Sequence, residues 1–226
     1  MNRRAFTAFT GVGLALPLLP GSAEADQPKP SPALSVDQIV TRVEACYDKT
    51  TSFKASFIQR SQFFLRHDRG SVTFQRPGMM SWRYARSGNR VVSDGTRLEI
   101  YEKENKRLYQ QELAASLFPA ALSFLTRQGQ LRESFEFTRL GSKLMHVEGE
   151  YVLVAESRRA SPVYDRLVFY VDARTYQVRR VLICDLQGSR TSFDFAASKF
   201  NSPVAQGEFA FNPPSGTRII RVSSPR

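Results

Sequence analysis

The spacing of hydrophobic residues changes several times along this chain, and each change predicts a different element. Ala5 to Leu19 is a continuous apolar run. From Val36 the apolar positions take helical spacing, with Val36, Ile39, Val40, Val43 and Tyr47 on one face. Ser35 stands before them as an N-cap, and Gln38 follows at capping-box distance. The pattern predicts a helix from there to about residue 49. The period then drops to two. Phe57, Gln59, Ser61, Phe63 and Leu65 share a face of one long strand, and Val72 and Phe74 do so within Gly70–Gln75. Arg76-Pro77-Gly78 is a turn, after which Met80, Trp82 and Tyr84 share a face. Asp94-Gly95 is a two-residue hairpin signal between Val91-Val92 and Leu98-Ile100.

Helical spacing returns once. Leu113, Leu117, Ala121, Leu122 and Leu125 fall on one face with Phe118 beside them. Pro119 lies inside this stretch and removes a helix hydrogen bond, so two short helical pieces are expected. Alternation then resumes at Phe135 and Phe137, Val152 and Val154, and Leu167, Phe169 and Val171. Val178–Leu186 and Thr191–Phe195 flank a turn at Gly188, and Phe209 and Phe211 precede Pro213-Pro214-Ser215-Gly216. The expected fold class is mainly β: an antiparallel sheet of about ten to eleven strands, strongly curved or an incomplete barrel, with one leading helix and a helical insertion.

The first apolar run is too short to span a membrane. It follows Arg3-Arg4 and precedes the small-residue site Ala23-Glu24-Ala25, which is the pattern of a secretory signal peptide. We therefore expect residues 1–25 to be a signal peptide cleaved after Ala25, 26–34 a proline-rich flexible lead-in, and 35–226 a single domain. The arginine pair matches twin-arginine export only weakly, so general secretion is the simpler expectation. No cysteine sits near the cleavage site, so a lipid anchor is not expected.

The net charge of +11 raises nucleic acid as a partner. The charges are scattered, however, and Arg158-Arg159 and Arg179-Arg180 are pairs that strand geometry splits between two faces. No nucleic-acid-binding motif accompanies them. Attraction to acidic protein or anionic membrane surfaces fits export better. Two cysteines are present, Cys46 and Cys184. An oxidising compartment permits a disulfide between them, worth about 4–5 kcal/mol on the chain-entropy model. The alternative for Cys46 is a buried free thiol on the helix stripe. Neither has a close Cys or His partner for a metal.

Catalytic chemistry is thin. His67 and His146 are far apart, and Asp94, Asp172, Asp185 and Asp194 are scattered over turns and strands. No nucleotide, dinucleotide or zinc-protease motif occurs. Neither enzyme activity nor a cofactor is expected, and the apolar strand faces point to binding.

Four segments carry a family resemblance. Thr51-Ser52-Phe53-Lys54-Ala55-Ser56-Phe57-Ile58-Gln59 is similar to the S-F-x-A-x-F-x-Q signature of the outer-membrane lipoprotein carrier (LolA) family. Gln75-Arg76-Pro77-Gly78-Met79-Met80-Ser81-Trp82 resembles its R-P-x-x-x-x-W segment, and Val91 to Tyr101 its V-x-D-G-x-x-L-x-x-Y hairpin. Phe209 to Thr217 resembles its closing F-x-F-x-P-P-x-G. The resemblance implies a periplasmic half-barrel covered by short helices, with a hydrophobic cavity for acyl chains. It implies triacylated lipoproteins as cargo, a LolCDE-type inner-membrane ABC transporter as loader, and a LolB-type outer-membrane receptor, or the outer membrane itself, as acceptor. A monomer is expected.

On this reading Val72, Phe74, Met80, Trp82 and Tyr84 line the cavity, joined by Phe57, Phe63, Leu98 and Ile100, whose face parity alone does not fix. Leu113, Leu117, Phe118, Leu122 and Leu125 would form the lid, although ordinary core packing explains the same stripe. In the family the arginine of the R-P segment holds the lid closed through hydrogen bonds to lid-helix backbone, and Arg76 matches it. The alternative for Arg76 is a solvated side chain at a strand end. Gly78 and the Met79-Met80 pair depart from the bulkier residues often found there. Two rival functions remain: a periplasmic regulator that senses lipid or lipoprotein with the same half-barrel, and a hydrolase of envelope lipid or glycan.

Overall fold

Ser35 caps the N-terminal helix as its position predicts. Its hydroxyl accepts the Gln38 N–H at 3.2 Å, and Gln38 Oε1 accepts the Ser35 N–H at 2.9 Å. Two otherwise orphaned donors are thereby satisfied at the start of α1 (Val36–Asp48). The structure is a computed structural model and describes residues 34–62, 66–113, 131–140, 148–159, 161 and 164–222. The described residues belong to one unit that begins at Leu34.

Beyond α1 come β1 (Ser52–Ser61), β2 (Arg66–Gln75), β3 (Met79–Tyr84), β4 (Arg90–Asp94), β5 (Arg97–Glu102) and β6 (Arg107–Glu112). The short helix α2 (Leu131–Ser134) precedes β7 (Phe135–Leu140), β8 (Glu150–Ser157), β9 (Arg166–Asp172), β10 (Val178–Cys184), β11 (Arg190–Phe200) and β12 (Arg218–Arg221). All twelve form one sheet in the order β12-β6-β5-β4-β3-β2-β1-β11-β10-β9-β8-β7. Neighbours are antiparallel except β12, which lies parallel to β6. The sheet has two ends rather than closing on itself, which makes it the open, mainly antiparallel form that the alternation predicts.

Two strands escape the hydrophobic pattern, and one expected strand is irregular chain. β6 reads Arg-Leu-Tyr-Gln-Gln-Glu and has one fully buried residue, Leu108, while β12 is short with exposed Ile219. Pairing with β5, not burial, makes β6 a strand. Phe209 and Phe211 lie instead in an irregular segment that crosses the outer face between β11 and β12. Ser52 Oγ donates to Ser202 O at 2.7 Å, Arg83 pairs with Glu208 at 2.6 Å, and the Phe211 ring lies 5.1 Å from Tyr101. Contact with outward-facing side chains thus replaces sheet pairing for this segment.

The core lies between α1 and one face of the sheet. Ile39, Val40, Val43 and Tyr47 of α1 are buried in the same cluster as the alternating residues of β1–β5 and β7–β11. A smaller patch, Val152, Val154, Val168 and Tyr170, occupies the opposite face of β8 and β9.

Candidate functional site

The antiparallel register sorts the inner face into rows. Phe53 stands opposite Phe74, Phe74 opposite Met80, Met80 opposite Ser93, and Ser93 opposite Leu98. The next row runs Ala55, Val72, Trp82, Val91 and Ile100. A third runs Phe195, Phe57, Gly70 and Tyr84. Of the residues that parity singled out, Phe57, Val72, Phe74, Met80, Trp82 and Leu98 are fully buried in one cluster, and Tyr84 and Ile100 pack half-buried against it. Phe63 lies outside the described residues.

Aromatic rings make the centre of this face. Phe57 meets Trp82 at 4.8 Å and Tyr84 at 5.1 Å, both edge to face, and Phe74 meets Trp82 at 5.8 Å. Gly70 makes room for them, since a Cβ there would stand 1.8 Å from Arg83 O and 2.9 Å from the Phe57 ring. Burial pushes the Tyr84 hydroxyl well above its ordinary pKa and keeps it neutral. Among the described residues the Trp82 Nε1–H has no hydrogen-bond partner, an orphaned donor at the floor of an apolar face.

Some residues of this face went unremarked in the sequence. Phe193 lies 5.5 Å from Trp82, and Phe195 lies 6.3 Å from it. They stand two apart on a recognisable strand, but that β11 is hydrogen-bonded to β1 is a tertiary fact.

Arg76 stands in the turn that leaves β2, under the C-terminus of α1. Its Nη2 donates to Tyr47 O at 2.8 Å and its Nη1 to Asp48 O at 3.3 Å. The Tyr47 carbonyl also accepts the Thr50 N–H at 2.9 Å, and the guanidinium adds a further donor there while complementing the helix dipole. α1 has no basic residue of its own in its last turn. Arg76 is therefore not a solvated strand-end arginine. The helix it clasps here is α1, whereas the expected lid was Leu113–Leu125. Further contacts hold α1: Val178 N–H donates to the Tyr47 hydroxyl at 3.0 Å, Arg42 donates to the Tyr176 hydroxyl, and Arg132 of α2 donates to Asp37 O, Thr41 Oγ1 and Glu44.

Leu113 is half-buried against the core, and its N–H donates to Thr96 O at 2.7 Å. A Cβ on Gly78 would lie 3.1 Å from the Leu113 side chain, and Gly78 has φ +67°. Glycine at this position is thus explained by local geometry: it lets Leu113 pack onto the turn after β2. Leu117, Phe118, Leu122 and Leu125 lie outside the described residues. Cys46 and Cys184 are both free thiols, the first half-buried on α1 and the second buried at the end of β10, and burial raises the Cys46 pKa. Among the described residues no group of three or more His, Cys, Asp or Glu side chains could hold a metal, and no helix is long and apolar enough to cross a membrane.

An open, mainly antiparallel sheet agrees with the family comparison. The model of the family "Outer membrane lipoprotein carrier protein LolA" matches residues 48–212. The chain belongs to the LolA family. That match contains the Thr51–Gln59, Gln75–Trp82 and Val91–Tyr101 segments and reaches into the closing one. An outer-membrane lipoprotein carrier protein of Bordetella avium is 24% identical over 98% of this chain and 100% of its own length. One of Alkalilimnicola ehrlichii is 27% identical over 98% of this chain and 97% of its own. A crystal structure of an uncharacterized conserved protein from Thermus thermophilus shares the fold, with a TM-score of 0.52 and 14% identity over 84% of this chain and all of that one. LolA is a family of carriers rather than enzymes, and the sensor alternative is not favoured.

Proposed function

We propose that this chain is a periplasmic carrier that holds the acyl chains of lipoproteins against the inner face of its sheet. It takes them from an inner-membrane ABC exporter and gives them to an outer-membrane receptor or to the membrane itself. The observation that carries this reading is the pairing of an aromatic inner face with a helix clasped by Arg76. Phe57, Val72, Phe74, Met80, Trp82, Tyr84, Leu98 and Ile100 are the proposed acyl contacts. Met80 is flexible enough to adapt to different chains, and the orphaned Trp82 N–H offers one donor to an ester carbonyl.

Closing competes with loading. Burial of a methylene is worth about 0.8 kcal/mol, so a chain of roughly 16 carbons gains about 12 kcal/mol. In the closed form Ile39, Val40, Val43 and Tyr47 already cover this face. Four such side chains bury about 6–12 kcal/mol of the same kind of energy. The Arg76 hydrogen bonds add about 1.5–3 kcal/mol each. Closing therefore offsets a gain of the order of one buried acyl chain.

The test uses protein purified from the periplasm of its native host, with bound material identified by mass spectrometry. Arg76→Leu should increase co-purified acylated lipoprotein over wild type, because release depends on closing. Free lipid alone, unchanged by the substitution, would turn the reading towards a lipid sensor.

A further inference from the structure

A groove of about 570 Å³ is lined by outward-facing side chains of β11, β1, β2 and β3, and between them by Phe57, Gly70 and Tyr84 of the alternate row. Its floor follows from register. One outward row crosses Ala196, Ser56, Ser71 and Arg83 on β11, β1, β2 and β3. The row beside it holds Asp194, Ile58 and Arg69, with Ala85 just past β3. Three small side chains in succession leave the first row low, and Ile58, 41% exposed, stands as an apolar wall. Four strands at about 4.8 Å spacing make a floor about 14 Å across, the length of about four extended residues.

The charged side chains that line this groove are Arg69, Arg83 and Asp194. Arg60 and Arg180 both pair with Asp194, and Arg83 pairs with Glu208. Arg69 has no side-chain partner among the described residues, and it lines the groove. Of the two guanidiniums that line the groove, Arg83 is paired with Glu208 and Arg69 is left without a carboxylate among the described residues. Glu208 is itself informative. It belongs to the irregular Asn201–Thr217 segment, and it reaches across the outer face to Arg83 at the groove's end. The molecule already docks one carboxylate of a non-strand segment here and leaves the adjoining arginine without one.

We propose that this groove is a docking site for an acidic, extended segment of a partner protein, with a carboxylate on Arg69 and small or apolar side chains along Ser56, Ser71 and Ala196. A concave floor flanked by separate guanidiniums fits a chain that descends into it. A flat anionic bilayer would touch only the rim. The outward side chains Ser56, Arg69, Ser71 and Ala196 point away from the acyl contacts, while Phe57 and Tyr84 border both sites, so partner and cargo are read through the same strands.

The test is fluorescence anisotropy of a short labelled peptide of alternating glutamate and alanine, titrated with purified protein at low and at physiological salt. Arg69→Glu should weaken binding by about tenfold or more. Ser71→Tyr, which fills the floor at an exposed position without changing charge, should do the same. Arg174→Glu, the same charge change in the β9–β10 turn, should stay within about twofold of wild type. Circular dichroism melts confirm that each variant is folded. Equal losses for Arg69→Glu and Arg174→Glu would mean diffuse attraction to a basic protein and overturn the site. Wild-type binding by Ser71→Tyr would overturn the groove as its seat. Vesicles of anionic phospholipid that bind the protein while the peptide does not would replace the partner segment with a membrane surface.

Discussion

At the scale of single residues, Gly70 and Asp172 hold this structure in opposite ways. Gly70 acts by absence: a methyl there would stand 1.8 Å from Arg83 O on the neighbouring strand. No rotamer change relieves contact with a backbone oxygen, so the strands must part and the Phe57 ring must shift. Gly70→Ala should lose about 1–3 kcal/mol or more of stability, read as a lower urea midpoint. An unchanged midpoint would mean that the sheet yields there at no cost. Asp172 acts by its charge. Burial alone would raise its pKa, but hydrogen bonds from Thr175, Arg179 and Arg174 outweigh this and bring it to about 2. A carboxylate whose folded pKa is depressed contributes stability above its ordinary range and loses it as the pH falls towards the folded value. Between about pH 4 and pH 2 the melting temperature of wild type should therefore fall more steeply than that of Asp172→Asn. Parallel curves would show that the β9–β10 turn is not held by this charge.

At the scale of elements, α1 is a cover held from several sides rather than a helix standing on its own propensity. Thirteen residues form a marginal helix alone. Here the Ser35–Gln38 box fixes its start, Arg76 takes its last carbonyls, and its apolar stripe packs on the sheet. Tyr47 serves two of these roles, since its ring packs 5.9 Å from Phe200 and its hydroxyl accepts the Val178 N–H. Tyr47→Phe keeps the ring and leaves that buried N–H unpaired. It should cost about 1–3 kcal/mol in chemical denaturation, with faster amide exchange at Val178. Loss of stability without faster exchange there would place the damage elsewhere. The capping box and the apolar stripe of α1 were both legible in the sequence, because they lie within a few residues of one another. The Tyr47–Val178 and Arg76–Tyr47 bonds were not, because their partners are distant along the chain.

At the scale of the whole described unit, one sheet serves two environments. Its inner face is aromatic and covered by α1, and its outer face carries the irregular segment, the arginines and the outward side chains of the groove. Trp82, the chain's only tryptophan, sits fully buried on the inner side and reports on that division. If Arg76 holds α1 down, the Arg76→Leu variant of the cargo test should also show greater acrylamide quenching of Trp82. Quenching equal to wild type would mean that α1 stays seated without the arginine.

The sequence by itself determined what depends on near neighbours. It specified a helix from Val36 capped by Ser35, strands of alternating Phe, Val, Trp and Tyr, a hairpin at Asp94-Gly95, and one apolar face for Val72, Phe74, Met80, Trp82 and Tyr84. The family segments it displayed agree with the family match. Tertiary structure decided the rest. Alternation gives two faces and does not say which is covered, so the inner face became known only when α1 packed on it. β6 and β12 are strands because neighbours pair with them, and their own side chains carry little hydrophobic signal. Phe209 and Phe211 alternate like a strand, yet they lie in irregular chain, because Tyr101 and the outer-face arginines supply the contacts that sheet pairing would otherwise give. Arg76 had an expected role from its motif, but its partners, the last carbonyls of α1 at Tyr47 and Asp48, came within reach only when the chain folded.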